Sequence, residues 1–291
     1  STGAMTEHAA NFLSLMSLWA ILNGFEDKTN YKPFWLVLSG LLGGSAGATK
    51  VWALLGGPAT IAIIIYLCYR NSINFKTTIT YLILYSLAYG VILAPWFLRN
   101  FIASGNPLWP LGYYIFDTKY WNEISVLKYS NWTRGLEKTF LSYFFTPWHL
   151  TNNINKYSAG AGAINYHLIN PIFLAFIPSI WIFWKKNNSL QKQLFSVIGI
   201  FSIVVYTIWF LGGYMQPRYI QLIYPGLSII TAICTVYILE LKNVFIKYIS
   251  RFFIGVSLSA MIIVSLIINI KYIPVFFGTI SENKYLNSMV S

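Results

Sequence analysis

Two short segments of the chain each place an arginine at the end of a long apolar run. Residues 95–100, PWFLRN, close one run with Arg99 and Asn100, and residues 216–219, QPRY, open another with Arg218 and Tyr219. A guanidinium offers five donors in a planar fork and keeps its charge in apolar surroundings, so it suits a phosphate group. With Lys50, which follows a Gly-Ala-Thr link between two further runs, these cations predict a site for an anion. A lipid phosphate is the natural candidate.

Each of these charged residues also has a simpler explanation. Arg218 could extend its charge from a helix end into water, and Arg99 beside Trp96 could be an interfacial anchor. Lys50 is harder to explain in this way, because nothing requires a charge in so short a link. Glu7, at the start of the first apolar run, could position an acceptor hydroxyl, a sugar or a metal. It could equally do no more than stabilise the positive end of its helix dipole.

Composition places the chain in a membrane. Charged residues make up 10% of the 291 residues and hydrophobic residues 56%, whereas a soluble domain carries about 25% charged residues. The net charge of +12 does not indicate nucleic acid, because the cations lie singly or in small groups between apolar runs. We therefore predict an all-α, polytopic transmembrane helical bundle forming a single transmembrane domain over 1–291.

Eight runs approach the length of about 20 residues that a helix needs to cross a bilayer. They are 8–23, 34–47, 51–69, 77–97, 166–184, 194–211, 220–239 and 252–270. The second is short and glycine-rich, which suits close helix packing or a half-spanning helix. If 34–69 is a helical hairpin, ten Lys and Arg residues share one side in the short connections 24–33, 70–76, 185–192 and 240–251. Counting 34–69 as one span would instead invert the first helix.

The positive-inside rule makes that side cytoplasmic. Glu7, Lys50, Arg218 and the long loop 98–165 then face the periplasm or exterior of a bacterial inner membrane. Within this loop, the aromatic stretch 136–146 ends before a proline, at position 147, and predicts an amphipathic helix on the outer leaflet.

Acidic and histidine residues give weaker signals. Asp117, Glu123 and Glu137 are candidate bases on the outer side, although a solvated surface explains them equally. His149 and His167 have no partner at ligand spacing, so no metal is predicted. The two cysteines, Cys68 and Cys234, lie far apart inside apolar runs, and both are predicted to be buried in the membrane as small hydrophobic side chains.

Several of these segments resemble motifs of polytopic glycosyltransferases of the GT-C class. This class includes bacterial protein mannosyltransferase-like and lipid A aminoarabinose transferase-like enzymes. The stretch 95–110 resembles a stretch found in these enzymes. Residues 43–50, GGSAGATK, resemble the glycine-rich hairpin of the class, which ends in a lysine. The stretch 216–225 is similar to its late P-R-Y segment, and 1–7 resembles the entry to a mid-bundle helix with an acidic residue at Glu7.

The resemblance implies transfer of a sugar from a polyprenyl-phosphate donor to a lipid, glycan or protein acceptor, without a cofactor. Lys50 and Arg218 would hold the donor phosphate, and Arg99 and Asn100 would shape the cavity. The substrate site would also include Glu7 and Tyr219. The class's catalytic base lies in the first outer loop, so it would precede Ser1. The chain is therefore expected to be an N-terminally truncated piece, inactive by itself, unless Met5 is the true start.

Two other classes of function stay open. A transporter or flippase for lipid-linked saccharides would use the same cations to hold a headgroup. It would also need a polar path, and the predicted spans carry no acidic residue of the kind that marks ion relays. A non-catalytic assembly subunit becomes attractive if Met5 is the start. Walker, dinucleotide-binding, zinc and G-x-S-x-G motifs are absent from the sequence.

Overall fold

The computed structural model describes residues 6–26, 32–109, 112, 115, 116, 124, 137–152, 189–212, 217–240, 244–270 and 273–281. All regular structure within these ranges is helical. Three of the described helical segments are long and apolar enough to cross a membrane: Val51–Arg70, Phe75–Ser104 and Lys192–Leu211. The prediction of an all-α fold is confirmed for these residues, and these three helices fit the predicted membrane spans. Of the remaining predicted runs, 8–23, 34–47, 220–239 and 252–270 also form helices. The run 166–184 lies outside the described residues.

The described helices follow one another along the chain in the order given next. They are α1 (Thr6–Glu26), α2 (Lys32–Thr49), a 3-10 helix (Val51–Leu55), α3 (Gly56–Arg70), α4 (Phe75–Ser104), α5 (Phe140–Asn152), α6 (Ser189–Leu211), a second 3-10 helix (Pro217–Ile223), α7 (Tyr224–Leu239), α8 (Val244–Ile270) and a short helix at Ile273–Phe276. The chain divides into two compact units. The larger comprises Met5–Ile169 and Asn188–Ile230, and the smaller Ser1–Ala4, Asn170–Asn187 and Thr231–Ser291.

Glycines bring α2 and α4 into backbone contact. A Cβ added at Gly40 would lie 2.5 Å from the carbonyl oxygen of Tyr85, and one at Gly44 would lie 2.6 Å from that of Tyr89. Small residues permit such close approach between helices, so the glycine-rich run is a packing face. Because the contacts advance together along both helices, α2 and α4 are parallel.

The other neighbours of α2 and α4 run in the opposite direction. On α1, the Ser17 hydroxyl donates to the Ser39 carbonyl at 2.9 Å, and Gly24 meets Trp35, so α1 is antiparallel to α2. The phenol of Tyr89 donates to the Leu54 carbonyl at 3.3 Å, in the first 3-10 helix and directly before α3. A tight turn at residues 71–74 then joins α3 to α4 as an antiparallel pair. The prediction that 34–69 forms two oppositely directed helices is therefore confirmed.

The amphipathic helix of the long loop begins and ends later than predicted. It spans Phe140–Asn152 rather than 136–146, because the Thr139 hydroxyl caps its first turn by accepting from the Ser142 amide at 3.1 Å. Pro147, expected to end the helix, lies inside it. A proline leaves the carbonyl four residues earlier without its helical donor. Here that carbonyl, of Tyr143, accepts a hydrogen bond from the Tyr206 hydroxyl of α6.

This bond should matter only while Pro147 is present. Replacing Tyr206 by phenylalanine leaves the Tyr143 carbonyl unpaired and should destabilise the docking of α5 on α6 by about 1–2 kcal/mol. Amide hydrogen exchange across α5 would measure the loss. In a Pro147→Ala background the alanine amide can bond this carbonyl, so Tyr206→Phe should then cost much less. An equal cost in both backgrounds would show that the carbonyl is not what Tyr206 stabilises.

Candidate functional site

The helix directions sort the charged residues of the larger unit onto two ends. Among the described residues of α1 to α4, one end carries the cations Lys32, Arg70 and Lys76 together with the carboxylate of Glu26. The first of them lies over the Phe25 ring, with 5.8 Å from Nζ to the ring centroid. At the opposite end lie Glu7 at the start of α1, Lys50 after α2 and Arg99 near the end of α4. The structure thus brings three of the predicted site residues to one end of the helical bundle.

Lys50 occupies a sharp corner of the backbone. Its amide donates to the Ala46 carbonyl at 3.0 Å and completes α2, and its carbonyl accepts from the Ala53 amide at 2.9 Å and begins the 3-10 helix. Lys50 itself is extended, with φ −151° and ψ 124°. A Cβ at Gly47 would lie 2.7 Å from the Leu54 side chain, so glycine lets the corner fold back without displacing that side chain.

Lys50 and Glu7 form an ion pair across α1 and α2. The distance from Lys50 Nζ to Glu7 Oε1 is 3.2 Å, with 35% of the lysine side chain and 13% of the carboxylate side chain exposed. An ammonium has three donors, so it can bind this carboxylate and still donate to an anion arriving from solvent. The sequence placed both residues in one site, but their direct pairing was not predicted.

Arg99 lies beyond the last turn of α2, on the continuation of the surface that α4 presents to it. It follows Ile92, whose side chain meets Gly44, by seven residues, so it lies on the same face of the helix. Leu93 of α4 contacts Gly47 of α2, so these two residues lie at the same level. Along the helix axes, Arg99 lies about 9 Å beyond this level and Lys50 about 4.5 Å beyond it. The Arg99 side chain is exposed. It is thus free to reach an anion bound at the Lys50 end.

Asn100 supports the segment that follows α4. Its Nδ2 lies 3.4 Å from the carbonyl oxygens of both Pro107 and Trp109. Gly105 ends α4 in the left-handed region at φ 79°, which favours glycine. The buried Asn106 side chain accepts from the Leu108 amide at 2.8 Å. The amide hydrogens of Asn100 therefore hold a turn, and any contact with a substrate would come from its oxygen.

The second 3-10 helix carries the remaining two predicted residues. Its backbone includes Arg218, whose side chain lies outside the described part of the structure, and Tyr219, which is half-buried. This 3-10 helix contacts α1 and the first 3-10 helix, Val51–Leu55. The element that bears Arg218 is therefore packed against the helix of Glu7 and the segment directly after Lys50.

The other candidates lie on other elements or outside the described residues. Glu137 is exposed just before α5, whereas Asp117, Glu123 and His167 lie outside the described residues, as does the side chain of Cys234. His149 is half-buried in α5, and Cys68 is buried, as predicted. In the described ranges no three His, Cys, Asp or Glu residues lie close enough together to hold a metal.

Two polar residues near the ion pair were not predicted. Trp52, in the first 3-10 helix, is 5% exposed, and its indole Nε1 has no hydrogen-bond partner. The Oδ1 atom of Asn11, one turn after Glu7, is also buried without a partner. A tryptophan within an apolar run is typical of a membrane core or interface, so the sequence carried no signal that its N–H would be unpaired.

Comparison with known protein families, curated proteins and solved structures finds no match to this chain. What the chain does must therefore be argued from its own residues. In the described ranges they form helices, three of which are long and apolar enough to cross a membrane. A carboxylate and two cations share one end of a helical bundle, and the segment of a third cation, Arg218, is packed nearby.

Proposed function

We propose that this chain belongs to a membrane glycosyltransferase that moves a sugar from a polyprenyl-phosphate donor to an acceptor. The observation that carries the proposal is the grouping of Lys50 and Arg99 at one end of the bundle, where the element of Arg218 also packs against α1. Three of the four segments that resemble GT-C enzymes contain these three residues, and the fourth contains Glu7. Cations spaced over one end suit a lipid phosphate, whose charge stays at the membrane surface while its chain lies among the apolar helices.

The reaction would be a substitution at the anomeric carbon. The acceptor oxygen forms a bond to this carbon as the bond from the carbon to the phosphate oxygen breaks, and the electron pair of that bond stays with the phosphate. The acceptor proton passes to a carboxylate base, which none of the described residues is assigned to supply. Lys50 and Arg218 would stabilise the negative charge that develops on the departing phosphate. Glu7 would hold the Lys50 ammonium in place between turnovers.

The distribution of cations supports the orientation of this site. Lys32, Arg70 and Lys76 lie at the end opposite to Lys50, in connections that the positive-inside rule assigns to the cytoplasm. The proposed site would then face the periplasm or the exterior of a bacterial inner membrane. Membrane lipids would surround the helices, and the acceptor would be a lipid, a glycan or a protein.

Arg218 provides the direct test of the transferase. In membranes that carry the complete protein, Arg218→Ala should remove about nine-tenths of sugar transfer from an undecaprenyl-phosphate sugar, because a charge-assisted contact to the leaving phosphate is lost. Expression should be unchanged. Arg70→Ala, at the opposite end, is the matched control and should transfer normally. Near-normal turnover of Arg218→Ala would remove this residue from the site.

A further inference from the structure

A groove of about 510 Å³ runs along one face of α8. The residues that line it follow one another at intervals of four, in two adjacent rows, so they share a face of the helix. Arg251 and Ile263 lie at its two ends, and the small residues Gly255, Ser259 and Ala260 lie between them. A Cβ added at Gly255 would have no described atom within 4 Å. The small residues thus leave this space open.

The length and the lining of the groove suit one lipid acyl chain. Arg251 and Ile263 are twelve residues apart, which corresponds to about 18 Å along a helix. One leaflet contributes half of a hydrocarbon core that is about 30 Å thick, or about 15 Å. Phe252 and Val256 also line the groove, and their exposed side chains add apolar surface beside its small residues. An extended acyl chain would therefore fill the groove from end to end.

The end of the groove nearest the start of α8 is cationic. Arg251 lines it, and Lys247 lies one turn earlier on the same face of the helix. The Arg251 side chain is exposed, with its guanidinium carbon 6.0 Å from the centre of the Tyr248 ring. In the described part of the chain, Arg251 has no carboxylate partner. Because Arg251 directly precedes the predicted span 252–270, its charge is placed at the depth of the lipid phosphates.

This charge also distinguishes a lipid from a second copy of the helix. Small residues four positions apart, such as Gly255 and Ser259, commonly let two membrane helices pack closely. In a parallel pair, however, the two Arg251 residues would meet one turn from the crossing point, and like charges repel. An antiparallel pair would place the cations of the two copies on opposite sides of the membrane, against the positive-inside rule. The phosphate of an anionic lipid instead neutralises Arg251.

We infer that this groove binds one anionic phospholipid, with the phosphate at Arg251 and an acyl chain along Gly255 and Ser259. The positive-inside rule assigns the connection 240–251 to the cytoplasm, so the lipid would belong to the cytoplasmic leaflet. The charge of Arg251 selects the headgroup, and the apolar lining holds the chain. The inference does not depend on the proposed sugar transfer, because none of these residues belongs to the Lys50 site.

Photo-crosslinking of the chain in nanodiscs tests the site directly. The probe is phosphatidylglycerol with a diazirine on one acyl chain, in a background of phosphatidylcholine, and peptide mapping locates the labelled residues. In the wild type we expect labelling between Gly255 and Ile263, and unlabelled phosphatidylglycerol should compete about tenfold better than phosphatidylcholine. Arg251→Gln should abolish this preference. Gly255→Leu, which fills the groove, should remove most of the labelling.

Two matched controls separate the groove from general effects of the substitutions. Arg70→Gln removes another arginine that lies beside a tyrosine, since Arg70 donates to the Tyr66 hydroxyl at 3.2 Å. Gly90→Leu enlarges another glycine at which an added Cβ would have no atom within 4 Å. Both variants should be labelled as the wild type is. The melting temperature of Gly255→Leu should match that of the wild type, because its new side chain enters open space.

Three results would overturn the lipid site. Equal competition by phosphatidylglycerol and phosphatidylcholine in the wild type would mean that only the ordinary lipid shell covers α8. Unchanged labelling in both Arg251→Gln and Gly255→Leu would mean that the lipid binds elsewhere. If labelling were absent and Ser259→Cys joined two chains through a disulfide, a second copy of α8 would occupy the groove. In none of these cases would the proposed sugar transfer be affected.

Discussion

Replacing Gly40 by alanine should destabilise the protein by about 2–3 kcal/mol, the cost of forcing extra volume into a packed contact. The new methyl carbon would lie 2.5 Å from the Tyr85 carbonyl oxygen and 2.7 Å from the Ala88 Cβ. Because the first of these is a backbone atom, it cannot move aside as a side chain would, and α2 must separate from α4. Thermal unfolding in nanodiscs would measure the effect, and Gly44→Ala, with 2.6 Å to the Tyr89 carbonyl oxygen, should behave alike.

Gly90→Ala is the matched control for this prediction. Gly90 lies within α4, and an added Cβ there would have no atom within 4 Å. The same substitution should therefore leave stability unchanged or raise it by about 0.5–1 kcal/mol, since alanine is the better helix former. If Gly40→Ala and Gly90→Ala unfolded at the same temperature, close backbone contact between α2 and α4 would not contribute to the stability of the protein.

Replacing Lys50 by methionine should lower the affinity for undecaprenyl phosphate about 100-fold, because a charge-assisted contact is lost. Glu7→Gln should act in the opposite direction and strengthen binding a few-fold, since Lys50 would no longer be paired with a carboxylate. Binding to the chain in nanodiscs measures both. Neutral undecaprenol is the control ligand, and its binding should not respond to either substitution.

The charge-swapped variant Glu7→Lys/Lys50→Glu separates the two roles of this pair. It restores an ion pair across α1 and α2, so its melting temperature should recover toward that of the wild type. It also moves the cation from the corner after α2 to α1 and places a carboxylate at position 50, so phosphate binding should stay weak. If affinity recovered together with stability, Lys50 would serve the fold alone.

Several features of the site could be predicted because they depend on local sequence. Lys50 and Glu7 lie at the ends of apolar runs, and a charge is stable there only near the membrane surface. Their shared end of the bundle then follows from counting helix reversals. The glycines of α2 predicted a close approach of helices, but glycine alone does not specify which neighbour approaches. The structure identifies that neighbour as α4, with Tyr85 and Tyr89 opposite Gly40 and Gly44.

Other features depend on groups that are distant in sequence, and these could not be predicted. The bounds of α5 were wrong because its cap at Thr139 and the donor from Tyr206 to the Tyr143 carbonyl override the expectation that Pro147 ends a helix. The hydrogen bonds from the Asn100 amide to the carbonyls seven and nine residues later were not predicted either. Neither the cap, the donor nor these carbonyls is visible in a hydropathy pattern.

The sequence by itself determined that this is a helical membrane protein and which charged residues share an end of it. The physical reason is that a bilayer acts on each segment separately, through its length, hydropathy and flanking cations. Only the tertiary structure decided that Lys50 is paired with Glu7 and that Asn11 Oδ1 and Trp52 Nε1 are buried without partners. Those facts depend on the axial register and the rotation of one helix against another. Interdigitating side chains from both helices determine this register and rotation, so no single segment of the sequence specifies them.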